Sequence, residues 1–259
     1  MGAKASTIHR QTGQTWCQRL LQWASPQRAY PLAERLAPWC LTVALLLSAV
    51  GLYLGLFVAP TDHQQRDAYR IIYVHVPAAW LGMVVYVAMA FWAALGWVLN
   101  TRLSSLMARA LAPTGAIFTF LALWTGALWG KPTWGTWWVW DARLTSMLIL
   151  LFLYIGFMAL QAAIDDPRKG DKAGALLAIV GVVNVPIIYF SVKWWNTLHQ
   201  GSSLSGGATM APIMLYSMLL VSLGFWAYGI GVALLRLRHL ILEREADADW
   251  VSRLPELKA

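Results

Sequence analysis

A tryptophan-rich run between residues 129 and 141 is the part of the sequence best suited to binding a ligand. It reads Trp129-Gly-Lys-Pro-Thr-Trp134-Gly-Thr-Trp137-Trp138-Val-Trp140-Asp141. If the run is helical, Trp134, Trp137 and Trp138 share one face with Asp141. Flat indole rings with a carboxylate at one end suit a large planar apolar ligand that has a polar edge. The alternative is an interfacial belt of aromatic residues, which is common in membrane proteins.

Two histidines offer metal-ligating nitrogens near this aromatic face. His75 begins a predicted span just before Pro77, and His199 lies in a loop predicted on the same side of the membrane. Two imidazoles at the same depth can ligate a metal in a planar macrocycle from its two faces, and histidine is a standard axial ligand of haem iron. Taken alone, each histidine is more typical of an interfacial hydrogen-bonding residue. His63 lies in a polar loop and is predicted to be a surface residue.

A haem ligand also requires partners for its two propionates, which bind cations or hydrogen-bond donors. The basic residues predicted on the same side are Arg66, Arg70, Lys131, Arg143 and Lys193. Arg143 is attractive because it follows Asp141 by two residues. Its alternatives are a helix-end cation that extends to water or an ion pair with Asp141. Asp141 itself suits the N-cap of the next helix, a role compatible with ligand contact.

Six apolar runs position these residues. The chain is 59% hydrophobic and 12% charged, which is too apolar for an ordinary soluble domain. The runs, each close to the length needed to cross a bilayer, are Trp39–Val58, Val76–Leu99, Ala110–Trp129, Leu144–Ile164, Ala173–Val192 and Met210–Leu235. They predict an all-α membrane protein: a bundle of six transmembrane helices with an outward-facing tryptophan-rich interfacial segment. Pro186 predicts a kink in the fifth span, either permanent or acting as a hinge.

The distribution of basic residues predicts the orientation of the chain. Of the 20 lysines and arginines, fifteen fall in the terminal segments and alternate loops that would be cytoplasmic. We therefore predict both termini in the cytoplasm and the tryptophans on the outer side of the membrane; the family resemblance given below implies that this is the inner membrane of a bacterium. The net charge of +8 then reflects topology and the lipid bilayer as partner, with no nucleic acid.

We expect residues 1–259 to form a single membrane domain. Its parts are a cytoplasmic surface segment at 1–38, the tryptophan segment at 129–145 and a cytoplasmic tail at 236–259. Within the first part, Trp16, Leu20 and Trp23 have the spacing of a short surface helix.

Three motifs together resemble a known family. The tryptophan run that continues as Asp141-Ala-Arg143-Leu-Thr145 is similar to the "WWD" segment of haem-handling membrane proteins. Tyr73-Val-His75-Val-Pro77-Ala-Ala79 and Trp194-Trp-Asn-Thr-Leu-His199-Gln-Gly201 resemble the two histidine segments of the six-span CcmC family of cytochrome c maturation. The resemblance implies that His75 and His199 ligate haem on the periplasmic side. It also implies a haem platform at Trp129, Trp134, Trp137, Trp138, Trp140 and Asp141, beside Arg143.

The resemblance further implies the partners and the activity. Haem would pass to the periplasmic haem chaperone CcmE, and the small membrane protein CcmD and the ABC transporter CcmAB would be associated partners. The expected protein is a haem-binding assembly and export protein and not an enzyme. The alternatives are a permease subunit that conducts haem or another substrate across the membrane, and a scaffold whose aromatic loop only docks partners.

Overall fold

The chain folds as a bundle of long helices. The computed structural model describes residues 25–199 and 210–254. The helices are α1 (Pro26–Tyr53, continued by a π-helical turn Leu54–Val58), α2 (Ile72–Leu99, preceded by a 3-10 helix Asp67–Ile71), α3 (Arg102–Trp134), α4 (Ala142–Ala163), α5 (Pro167–Gly181), α6 (Asn184–Trp194) and α7 (Pro212–Arg244). Among the described residues the only extended pairing is an isolated bridge between Asp62 and Arg66. The predicted all-α class is confirmed.

Six helical segments, the fifth made of α5 and α6 together, are long and apolar enough to cross a membrane, and each overlaps one predicted run. The first span begins at Pro26, well before the apolar run, and the last extends to Arg244. Residues 26–38 of the predicted N-terminal surface segment and residues 236–244 of the predicted C-terminal tail are therefore continuous with the first and last spanning helices. The short helix predicted around Trp16, Leu20 and Trp23 lies outside the described residues.

A tight turn places α2 beside α3. Asn100 ends α2 in the left-handed conformation (φ 51°), which asparagine adopts more readily than most residues. The chain then enters α3 at Arg102, so the two helices run antiparallel and in contact. Gly82 lets α3 approach closely, because a Cβ at this position would lie 2.7 Å from Thr119 Oγ1. The start of α2, which carries His75, therefore packs against the last turns of α3.

The middle of the bundle is filled with large side chains. Tyr86, Met89, Tyr154 and Phe157 are almost completely buried. The Tyr154 hydroxyl donates a hydrogen bond of 2.7 Å to the Gly82 carbonyl, and its ring packs on Gly115. These side chains fill the interior of the bundle between its middle and the end that carries His75.

The fifth span is interrupted, as the proline predicts. Helix α5 ends at Gly181 and α6 begins at Asn184, which places Pro186 in the first turn of α6. Proline is tolerated in a first turn because its missing N–H would have no helical partner there. The Asn184 amide nitrogen donates to the Ser146 carbonyl of α4 at 2.8 Å. The break is thereby tied to α4, next to residues that line the cleft described below.

Candidate functional site

The tryptophan segment is not one continuous helix. Helix α3 ends at Trp134, because Gly135 adopts a left-handed conformation (φ 78°) that is typical of a helix C-terminus. The chain is irregular from Gly135 to Asp141, and α4 begins at Ala142. The condition under which the tryptophans and Asp141 would share one helical face is therefore not met. A glycine between the tryptophans ends the helix before the second half of the motif.

The turn nevertheless gathers three of the tryptophans around one opening. Trp134, Trp137 and Trp138 line a cleft with an empty volume of about 780 Å³, including its open mouth. We call this opening the aromatic cleft. Its floor is formed by the buried side chains of Met147 on α4 and Ile188 on α6.

Both candidate histidines line the aromatic cleft. The ring centroids of His75 and His199 are 6.1 Å apart, and the ring planes differ by 33°. A ligating imidazole nitrogen lies about 2 Å from its metal. Two imidazoles on opposite sides of one iron thus have centroids about 6 Å apart. The structure thus brings His75 and His199 together in one cleft, while His63 is exposed outside it; their pairing as ligands of one metal stays a prediction.

The end of α3 supports the His75 ring. Trp129 is buried and meets His75 edge to face, with ring centroids 5.6 Å apart. Its indole N–H donates a hydrogen bond of 2.7 Å to Gln65 Oε1, so this nitrogen already has a protein partner. Gly126, three residues before Trp129 on α3, lies close to the same ring, because a Cβ at this position would be 3.0 Å from His75 Cε1. Trp129 therefore both lines the cleft and supports one of its histidines.

Arg143 is the one of the five candidate cations that lines the aromatic cleft. Arg70 instead pairs with Asp67 at 2.9 Å and donates to the Gly55 carbonyl at the end of α1. Lys131 Nζ donates to the Gly135 carbonyl and lies 6.0 Å from the Trp137 ring centroid. Within residues 25–199 and 210–254, no carboxylate forms a direct salt bridge with Arg143, although the charge of the nearby Asp141 acts on its guanidinium group.

The remaining two candidates, Arg66 and Lys193, are exposed and lie outside the lining. Lys193 is 5.9 Å from the Phe190 ring centroid, on α6. Arg143 is consequently the cation whose position suits an acidic ligand edge in the cleft.

Asp141 caps α4, as its residue type predicts. One carboxylate oxygen accepts a hydrogen bond of 2.8 Å from the Leu144 N–H, a contact worth about 1 kcal/mol in typical helices. The other oxygen, Oδ2, is buried and has no hydrogen-bond partner among the described residues. The same holds for Trp138 Nε1. Buried polar atoms normally have partners, and Trp138 lines the aromatic cleft, so its N–H suits a polar group brought by a ligand.

Trp140 and Asp141 lie outside the lining of the cleft. Trp140 is 77% exposed and packs edge to face on Trp138, with ring centroids 5.4 Å apart. Its place is the rim, where a docking protein can reach it. The contributions of Trp140 and Asp141 to ligand binding remain predictions.

Several cleft residues carry no signal in the sequence. Gly126, Met147 and Ile188 belong to apolar runs whose composition is common in membrane proteins. Gln65 supports Trp129 from 64 positions away. The spacing of residues cannot reveal such contacts, although Gly126 falls on the helix face of Trp129, three residues before it.

Comparisons with known proteins agree with this architecture. The sequence profile of the family described as "Heme exporter protein C" matches residues 19–252. The Heme exporter protein C of Escherichia coli K12 is 47% identical over 235 residues, which cover 91% of this chain and 96% of that protein. The protein of the same description from Bradyrhizobium diazoefficiens is 45% identical over 228 residues, covering 87% and 86%. A Marchantia polymorpha protein described as "Putative cytochrome c biosynthesis ccmC-like mitochondrial protein" is 45% identical over 197 residues, covering 76% and 84%.

The fold and the cleft define a multi-pass helical membrane protein with two histidines facing one aromatic opening. The chain belongs to the Heme exporter protein C family. The resemblance inferred from the histidine and tryptophan motifs is thus confirmed. This is a family of exporters and not a family of enzymes.

Proposed function

We propose that the aromatic cleft holds haem b, with His75 and His199 as the axial ligands of the iron, for export in cytochrome c biogenesis. The observation that carries this proposal is the pair of imidazoles 6.1 Å apart in one cleft. Relatives across bacteria are described as haem exporters, and a mitochondrial relative is assigned to cytochrome c biosynthesis. Both descriptions suit a site built for a metal porphyrin.

The other lining residues have the chemistry that haem requires. Indole rings of Trp134, Trp137 and Trp138 provide flat apolar surface for the porphyrin, and Met147 and Ile188 bound its buried edge. The Arg143 guanidinium suits a propionate, since arginine binds carboxylates through paired hydrogen bonds. The free N–H of Trp138 offers a further donor.

We further propose that the bound haem is delivered to the periplasmic chaperone CcmE, beside the partners CcmD and CcmAB. Support comes from the rim of the cleft, where Trp137 is 53% exposed and Trp140 is 77% exposed. Large exposed aromatic residues next to a ligand are typical contact points for a protein partner. A haem held with one edge at this rim can be passed on without crossing the bundle.

The packing of the bundle favours a protein that holds haem over a permease that conducts it. Tyr86, Met89 and Tyr154 fill the interior between the cleft and the opposite end. An apolar groove on the lipid side, between α2 and α6, touches the cleft only at Met83, whose side chain is buried. Neither feature provides a polar path for a dianionic porphyrin through the described bundle.

An absorption spectrum of the purified protein tests the proposed function. We expect a Soret band and the visible bands of low-spin, six-coordinate haem.

Arg143→Gln should weaken haem binding, whereas Arg66→Gln, which changes an exposed arginine outside the cleft, should not. Purified apo-chaperone added to the haem-loaded protein should take up the haem. A protein that binds no haem after reconstitution would contradict the proposal and favour the scaffold interpretation.

The side of the membrane is proposed from the charge bias: both termini in the cytoplasm and the aromatic cleft facing the periplasm. In a variant with Cys17 and Cys40 changed to serine, His63→Cys should react with a membrane-impermeant thiol reagent in spheroplasts. Arg168→Cys, at the opposite end of the bundle, should react only after lysis. Labelling of position 168 in intact spheroplasts would reverse the proposed orientation.

A further inference from the structure

We propose that Thr125 is a positioning residue that fixes the tautomer of His75, so that Nε2 of this histidine is the atom presented to the iron. The inference rests on the proposed function, because it concerns how one of the two axial ligands is prepared. Thr125 is buried on α3, one turn before Trp129. Nothing in the sequence motifs assigns it a role.

Thr125 joins His75 to the backbone of α3. Its hydroxyl oxygen lies 3.1 Å from His75 Nδ1 and 2.7 Å from the Leu121 carbonyl oxygen, with the Ala122 carbonyl further away at 3.3 Å. A threonine hydroxyl has one proton to donate and two lone pairs that accept. Threonine in a helix characteristically donates that proton to the carbonyl four residues earlier. The shorter contact, to Leu121, therefore takes the proton.

Because the Thr125 hydroxyl donates its proton to the Leu121 carbonyl, the direction of its hydrogen bond with His75 is determined. With its proton on Leu121, the hydroxyl can only accept from His75, so Nδ1 must carry the imidazole hydrogen. A neutral imidazole then has its lone pair on Nε2, and a metal binds the nitrogen that has the lone pair. Histidines that ligate metals usually donate their other ring N–H in this way, which fixes the ring and makes it a stronger ligand.

The surroundings of the ring keep this hydrogen bond in place. Trp129 lies against one side of His75, and Gly126 allows α3 to approach Cε1 closely. Thr125 is only 7% exposed, so water has little access to replace it as the acceptor. On α3, Gly126 thus sets the distance of the His75 ring, Trp129 its plane and Thr125 its tautomer.

Replacement of the hydroxyl by a methyl group tests the proposal. Thr125→Val keeps the shape of the side chain but removes the hydroxyl that lies 3.1 Å from His75 Nδ1, so that the Ala122 backbone carbonyl is the remaining acceptor near the ring. Loss of such a partner typically costs about 10–100-fold in metal affinity, and we expect haem affinity to fall by that factor. The reduction potential of the remaining bound haem should rise, because a weaker imidazole donor stabilises ferric iron less. Thr125→Ser keeps the hydroxyl and should restore both values.

A second threonine on the same helix provides the matched control. Thr119 is buried and donates to the Gly115 carbonyl at 2.8 Å, but its hydroxyl meets no histidine. Thr119→Val therefore removes the same type of intrahelical bond and should leave affinity and potential unchanged. If Thr125→Val binds haem with the wild-type affinity and potential, or if Thr119→Val produces the same loss, the proposal is wrong.

A chemical substitution of the ligand gives a readout that does not require a valine at position 125. In His75→Gly, imidazole added to the haem-loaded protein should restore the low-spin spectrum at lower concentration than N-methylimidazole, which has no N–H to donate. The difference should shrink when Thr125→Ala is added, because the hydroxyl acceptor is then gone. Equal rescue by the two ligands in the presence of Thr125 would overturn the proposal.

Failure of this inference is distinguishable from failure of the proposed function. If His75→Gly leaves the haem spectrum unchanged, His75 is not a ligand and the proposed function itself is at fault. If His75→Gly changes the spectrum while Thr125→Val does not, the ligand assignment stands and only the role of Thr125 is wrong.

Discussion

Replacing both His75 and His199 with glycine is expected to abolish haem binding while the protein remains inserted in the membrane. The two rings are the only described histidines that line the aromatic cleft, with centroids 6.1 Å apart. Removing both leaves the iron without protein nitrogen ligands in the cleft. Indole contacts and one arginine alone should not retain haem through purification. The measurement is the Soret absorbance per mole of purified protein, compared with wild type.

Each single change should have its own spectrum. Loss of one imidazole leaves an iron with one axial ligand, so the low-spin bands should give way to those of five-coordinate haem. His63→Gly is the matched control, because His63 is exposed and outside the cleft. It should keep the wild-type spectrum. A doubly changed protein that still purified with low-spin haem would show that the axial ligands lie elsewhere.

The spans and the cap of α4 could be predicted from the sequence because each depends on local chemistry. Uncharged runs of about 20 residues have few alternatives to a membrane-spanning helix. Asp141 is a favoured N-cap residue just before an apolar run, and its carboxylate accepts the Leu144 N–H as expected. Pro186 likewise marks the interruption of the fifth span.

The internal geometry of the site could not be predicted in the same way. The tryptophans and Asp141 would share one face only in a continuous helix, but the left-handed Gly135 ends α3, and Trp137 and Trp138 line the cleft from the irregular segment that follows. The choice among the basic residues was also undecided, because the contacts that engage Arg70 and Lys131 depend on how loops and helices meet. Such contacts arise only once the helices pack.

The supporting residues of His75 illustrate the same limit. Thr125 is 50 positions away in the chain, and Gln65 acts through Trp129. A threonine in an apolar span is ordinary, and its value lies in facing a histidine across the α2–α3 contact. The ligand types are therefore readable from the sequence, whereas the residues that orient them require the structure.

Substitution of Gly126 is expected to weaken haem binding by displacing His75. A Cβ at this position would lie 3.0 Å from His75 Cε1, which is closer than side chains normally approach. Gly126→Ala should move the ring by a few tenths of an ångström and disturb its alignment with the iron, lowering haem affinity by about tenfold. Gly126→Val adds two further methyl groups towards the cleft and should remove bound haem almost entirely. Haem titration of the purified proteins measures both effects.

Gly156→Ala on α4 is the control for the Gly126 changes. A Cβ there would lie 3.2 Å from Leu177 Cδ2, a comparably close contact, but the neighbour is the flexible end of a leucine outside the cleft. This variant should bind haem as wild type does. Because alanine favours helices more than glycine does, Gly126→Ala should also leave the thermal stability of the haem-free protein undiminished. Unchanged affinity in Gly126→Ala would mean that the ring position tolerates movement, and that α3 does not set the distance from His75 to the iron.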